Sequence, residues 1–143
     1  MTKVYLAGPM SGIAQFNFPA FVAAAKALRE RGFEVVSPAE LDDAEDKGVA
    51  MKSKDGNPAD AKRSWGDFLA RDVKLLADTG IQGIVFLPGW RKSKGAKLEA
   101  FVGLLQRFKF WELEDGVPYR VSRVSVLDAI SDEMRPHMFV GAP

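Results

Sequence analysis

The chain predicts an α/β fold on a mainly parallel sheet of about five strands, and three observations carry that expectation. Short apolar runs recur, as in KVYLA (3–7) and IQGIVFLPG (81–89). Segments of helical period stand between them, as in SWGDFLARDVKLLADTG (64–80). Gly or Pro punctuates the changes of period. Parallel strands need crossover connections, and alternating strands and helices supply them. The 143 residues suffice for a single domain, 1–143, with its own core.

The elements follow in order. KVYLA is short, apolar and β-prone, with a Gly-Pro break behind it, and reads as a buried first strand. FNFPAFVAAAKALRERG (16–32) reads as a helix: Asn17 suits its cap and Pro19 its first turn. Phe21, Ala24, Ala25 and Leu28 fall at helical spacing, and Gly32 ends it. FEVVS (33–37) is the second strand, stopped by Pro38. From about 42 to 63 the chain is polar and lacks a sustained period, which reads as a long loop. Either a surface excursion or a lid over a site fits it.

Ser64 and Asp67 make an S-x-x-D capping pattern at the start of the next helix. Phe68, Leu69, Val73 and Leu76 form its apolar stripe, and Gly80 closes it. Residues 81–89 are the third strand. KGAKLEAFVGLLQRF (94–108) is a helix expected to turn Leu98, Phe101, Val102 and Leu105 inward. KFWELEDGVPYRVSRV (109–124) reads as two strand-like runs around an Asp-Gly turn, SVLDAISDEM (125–134) as a last short helix, and RPHMFVGAP as a tail, loose or docked on a partner. The end from about 115 reads as variable.

Composition excludes several classes of function. The formal charge is +1, so no global field draws nucleic acid polymers or anionic membrane, and anion binding must be local. No apolar run approaches the roughly 18 residues of a membrane span, and the start lacks a signal peptide's apolar core. There is no cysteine, which excludes disulfide and thiolate chemistry and fits a cytoplasmic setting. The single histidine, His137, lies in the tail, and no tight carboxylate cluster suggests a metal; no cofactor is implied.

In a parallel sheet the ligand sits at the carboxyl ends of the strands, near the switch point. GPMSG (8–12) follows the first strand, and its glycines permit close backbone approach to a ligand; an ordinary tight turn also fits. WRKSKGA (90–96) follows the third. Arg91, Lys92 and Lys94 surround Ser93, while Gly95 and Ala96 open a helix whose free amides and dipole favour phosphate or carboxylate. A solvated basic loop is the alternative. Glu99 lies about one turn into that helix, where the dipole helps keep it ionised, as a nucleophile requires. A sugar phosphate would reconcile anion seat and carboxylate, with its anomeric carbon at Glu99; a surface ion pair remains open. Asp72 and Asp78 suit sugar hydroxyls, a base, or plain solvent. Tyr5 needs a hydroxyl partner if buried, and Trp90, on a loop, is the best stacking candidate.

Taken together, VYLAGPMSG, RDVKLLAD and SKGAKLE resemble the nucleoside 2-deoxyribosyltransferase-like superfamily, which includes deoxynucleoside 5′-monophosphate N-glycosidases. The resemblance spans roughly 3–41 and 64–114. It implies a flavodoxin-like three-layer sandwich and retaining attack on an N-glycosidic bond. By matched position, Glu99 is the nucleophile at C1′, Tyr5 orients it, and Asp72 binds sugar or base. The resemblance and the loop chemistry together give a substrate set of Gly8, Pro9, Met10, Ser11, Gly12, Asp78, Trp90, Ser93 and Gly95. Ser93, Gly95, Arg91 and Lys94 form the phosphate set. The turn departs from the GSIRGG of the hydrolases, with Pro9 and Ser11 at its serine and arginine positions. The implied partner is a small-molecule nucleoside or nucleotide, within a homodimer or larger homo-oligomer. A NAD-type nucleotide glycohydrolase and a non-catalytic nucleotide sensor are the alternatives.

Overall fold

The computed structural model describes residues 1–41, 44–61 and 64–138. Five strands form one sheet in the order β2-β1-β3-β4-β5. They are β1 (Lys3–Ala7), β2 (Glu34–Val36), β3 (Gly83–Phe86), β4 (Lys109–Glu114) and β5 (Val117–Val121). The first four are parallel, and β5 returns antiparallel beside β4. This is the flavodoxin-like order with its last strand reversed. Asp115 and Gly116 make the reversal, both at positive φ (51° and 75°), as a tight hairpin turn demands.

The helices are α1 (Phe18–Glu30), α2 (Pro38–Leu41), α3 (Ala44–Lys52), α4 (Trp65–Asp78), α5 (Lys94–Leu105) and α6 (Arg123–Met138). Successive side chains of β1 point to opposite faces. Val4 and Leu6 pack with Phe21, Ala24, Ala25 and Leu28 of α1. Tyr5 and Ala7 pack on the other face with Leu76 of α4, Ala96 and Ala100 of α5, and Val126 and Ile130 of α6. Three layers result: helix, sheet, helices. None of the described helices is long and apolar enough to cross a membrane.

Several expectations change. Within the segment read as a polar loop, α3 and a short 3₁₀ turn (Pro58–Asp60) are ordered structure, so the described part is not a structureless excursion. Residues 42, 43, 62 and 63 of that segment lie outside the described residues. The last helix runs from Arg123 to Met138, so the start of the supposed tail is helical; 139–143 lie outside the described residues.

α5 inverts most of its expected facing; of the four side chains expected inward, Val102 alone is partly buried and packs against the core. The helix buries Ala96, Glu99, Ala100 and Gly103, while Leu98, Phe101 and Leu105 are 37%, 46% and 69% exposed. The cause is proximity to the sheet. A Cβ on Gly103 would stand 2.9 Å from Ile84 Cδ1 and 3.0 Å from Phe110 Cε1, so only small residues fit beneath.

Asn17 occupies the N-cap position of α1 but makes no side-chain cap. Its amide donates instead to Pro9 O at 2.9 Å. Gln15, Phe16 and Asn17 all have φ between 51° and 63°, a left-handed run that costs L-residues roughly 1–2 kcal/mol each. The 50s segment holds this run in place. Gly12 N–H donates to Gly56 O and Gln15 N–H to Ser53 O, each at 2.8 Å, and Gln15 Nε2 donates to Met51 O at 3.1 Å. Gly56 (φ 67°) lies so close that a Cβ there would meet Ile13 O at 2.1 Å.

Candidate active site

The carboxyl ends of β1 and β3 flank the point where strand order reverses, and a cleft of about 880 Å³ opens there. Gly8, Pro9, Met10 and Ser11 leave β1 into it, and Pro88 and Gly89 leave β3. The start of α5 contributes Ser93, Lys94, Gly95, Ala96 and Glu99, preceded by Lys92. From α4 come Trp65, Phe68, Leu69, Arg71 and Asp72, which extends the site beyond the expected Asp72 alone. Ala50, Pro58 and Ala61 complete one side, so the segment after β2 borders the site, as the lid reading expects.

Glu99 is the chemical centre. It lies on the inner face of α5, only 5% exposed, and its Oε2 accepts a hydrogen bond from the Tyr5 hydroxyl. Strand alternation puts Tyr5 on the α5 side, and its ring is fully buried behind the cleft. Burial pushes the Glu99 carboxyl well above the ordinary range, and the charge of Asp72 pushes it further. The Tyr5 hydrogen bond and the Arg71 charge pull it back, but burial wins. Desolvation thus opposes the helix dipole that the sequence leads one to expect at Glu99. Tyr5 is itself raised, by burial first and then by the charge of Glu99, and so stays a protonated donor.

Asp72 borders the cleft and pairs with Arg71, Nε to Oδ1 3.0 Å. Arg71 also lies over the Phe68 ring, 5.3 Å to its centroid. Two carboxyls and one guanidinium thus line the same cleft, Glu99 buried and the Arg71–Asp72 pair partly so. Sequence reasoning passed over Arg71, although its place beside Asp72 was the available signal.

Ser93 is the N-cap of α5, its Oγ accepting from Ala96 N–H at 3.2 Å. Its lone pair serves the helix, and its hydroxyl proton is left to donate. The remaining basic residues of the loop divide. Lys92 and Lys94 border the cleft, whereas Arg91 pairs with Glu112 at 3.0 Å and is not among the lining residues. Arg91 therefore leaves the expected phosphate set.

Trp90 leaves the substrate set. It is buried, stacks on Phe86 with centroids 3.9 Å apart, and donates from Nε1 to Glu112. Asp78 leaves it too, exposed at the far end of α4 and paired with Lys74 at 2.9 Å. Gly12 is spent on the turn geometry, at φ 83°, and does not border the cleft. The α4 stripe is only partly buried at Phe68 and Leu69 because those residues face the cleft rather than the core. Among the described residues no group of three His, Cys, Asp or Glu gathers to hold a metal.

Residues 2–109 match the family model described as Domain of unknown function (DUF4406). The chain belongs to that family. The match contains all the cleft-lining residues and strands β1 to β3, and ends as β4 begins. No curated protein matches the chain.

Proposed function

We propose that this protein cleaves the N-glycosidic bond of a nucleoside or nucleoside 5′-monophosphate through a glycosyl-Glu99 intermediate. The observation that carries the reading is a buried Glu99 at the cleft wall, oriented by the Tyr5 hydroxyl and sharing the wall with Asp72. A carboxylate beside an anomeric carbon stabilises oxocarbenium character and then bonds to it.

Attack needs Glu99 as the carboxylate, which the Tyr5 hydroxyl holds by a hydrogen bond. The Glu99 oxygen bonds to C1′ as the C1′–N bond breaks, and the base leaves with the bonding pair and takes a proton from water. Water then attacks C1′, releasing the Glu99 carboxylate and giving up a proton to Asp72; a second base in place of water makes the reaction a transfer. Lys92, Lys94, the Ser93 hydroxyl and the first amides of α5 support a 5′-phosphate at the opposite end of the ligand. The volume of the cleft lies near the upper end for small-ligand sites, which favours as a second reading a dinucleotide such as NAD.

Self-association belongs to the same proposal. The outward Leu98, Phe101 and Leu105 of α5 lie on the helix that carries Glu99, and α6 beside it exposes Val124 and Leu127. A second copy covering these residues would explain why large side chains face out while small ones face the sheet. The absence of cysteine agrees with a reducing, cytoplasmic setting.

The test is release of free base, measured by chromatography over a panel of nucleosides, nucleotides and NAD. Glu99→Gln and Glu99→Ala are expected to abolish release while circular dichroism stays unchanged. Full activity in a folded Glu99→Ala variant removes the proposed role.

A further inference from the structure

Two residues that leave the expected ligand sets share one partner on the next strand. Trp90 Nε1 and Arg91 Nη2 both donate to Oε1 of Glu112, at 3.3 and 3.0 Å. The sheet explains the meeting. Glu112 lies two residues past Phe110 on β4, and in the parallel register it stands beside Phe86, the last residue of β3. Phe86 and Phe110 face α5, so Glu112 does too. Trp90 stacks on Phe86 and thereby reaches Glu112 from above the sheet. The Arg91 guanidinium lies over the Trp90 ring, 5.7 Å from its centroid.

The backbone passes this anchorage on to the cleft. Trp90–Lys92 is one 3₁₀ turn, closed by Lys92 N–H to Gly89 O at 3.1 Å and Ser93 N–H to Trp90 O at 3.0 Å. Ser93 then caps α5. Lys92, Ser93 and Lys94 border the cleft, so their places follow from where the indole is held. Of the two bonds to Glu112, the indole's matters more. The ion pair is 56% and 37% exposed at its two side chains, and such pairs contribute little. Trp90 is 3% exposed, and a buried donor that loses its acceptor must move to find another.

We propose that Glu112 is a positioning residue for a 5′-phosphate: by tethering Trp90 it holds Lys92, Ser93, Lys94 and the first amides of α5 where they meet the anion together. The inference rests on the phosphate end of the reading above and is independent of the chemistry at C1′. Its sign is diagnostic. By charge alone, removing Glu112 takes a negative group from the neighbourhood and frees Arg91, which would strengthen anion binding. By position, the same change weakens it.

The experiment uses the Glu99→Gln background, so that turnover does not disturb binding. Calorimetric titrations compare thymidine and 2′-deoxyguanosine, each with and without its 5′-phosphate. The phosphate is expected to tighten binding about tenfold or more. Adding Glu112→Ala should remove about tenfold of that advantage, because bonds to phosphate weaken steeply with misalignment. The Kd of each nucleoside should stay within about twofold, with melting and circular dichroism little changed. Adding Glu112→Gln leaves an amide oxygen for the indole and should keep the advantage within about threefold.

An undiminished or increased phosphate advantage in Glu112→Ala overturns the proposal. So does an equal loss for nucleoside and monophosphate, which marks a general packing role. A loss in Glu112→Gln as large as in Glu112→Ala also overturns it, since the tether would then be intact. If the phosphate brings no advantage even with Glu112 present, the positioning role falls with the anion seat, while base release by the parent protein keeps the glycosidase reading standing. If the predicted pattern is found but the parent releases no base from any substrate, the glycosidase falls and the positioning role stands.

Discussion

At the scale of single residues, the balance around Glu99 decides when the site can react. Burial and Asp72 favour its protonated form; Tyr5 and Arg71 favour the anion. Since attack needs the anion, kcat/KM should rise with pH through an inflection above the ordinary carboxylate range. Tyr5→Phe removes a donor that stabilises the anion, so the inflection should move higher. Activity near neutrality should then fall about ten- to a hundredfold, the worth of a hydrogen bond to a charged group. Asp72→Asn removes a nearby negative charge, so its inflection should move lower even though its plateau falls. A pH–rate series on the three proteins checks the signs, and inflections that coincide would contradict the coupling. A packing role for Tyr5 alone would lower activity without moving the inflection.

At the scale of elements, the 50s segment and the turn after β1 act as one unit. Gly56 is the contact point, with φ at 67° and no space for a Cβ against Ile13. Gly56→Ala should cost about 1–3 kcal/mol locally, through strain and the displaced backbone. The expected signature is faster proteolysis within 44–61 and a raised KM, with the main thermal transition little moved because the sheet's two cores do not include Gly56. Unchanged proteolysis would show that the segment does not depend on this contact.

At the scale of the whole molecule, the outer face of α5 predicts association. Phe101→Asp should convert a dimer or larger assembly to monomer in sedimentation velocity without unfolding α5, since Phe101 is half-exposed in the single chain. A parent that sediments as a monomer at assay concentration would remove the self-association proposal. The sheet was legible in the sequence because its signals are local: KVYLA is a short apolar β-prone run before a Gly-Pro break, Ser64 and Asp67 cap reciprocally, and Asp115-Gly116 makes the hairpin. The Tyr5, Asp72 and Glu99 set was legible through motif order, and the structure brings Tyr5 into hydrogen bond with Glu99 and Asp72 onto the same wall. What escaped depends on distant partners. Ala96 and Gly103 lie inward only because the sheet is close, Trp90 is buried only because Phe86 lies beneath it, and the ionisation of Glu99 follows from burial that no spacing reveals. The left-handed run at Gln15–Asn17 belongs to the same group, for its backbone partners lie some 40 residues further along. A designer transplanting GPMSGIAQFN into a relative should therefore carry residues 51–56 with it; moved alone, the graft would relax towards ordinary backbone angles and reshape the mouth of the cleft.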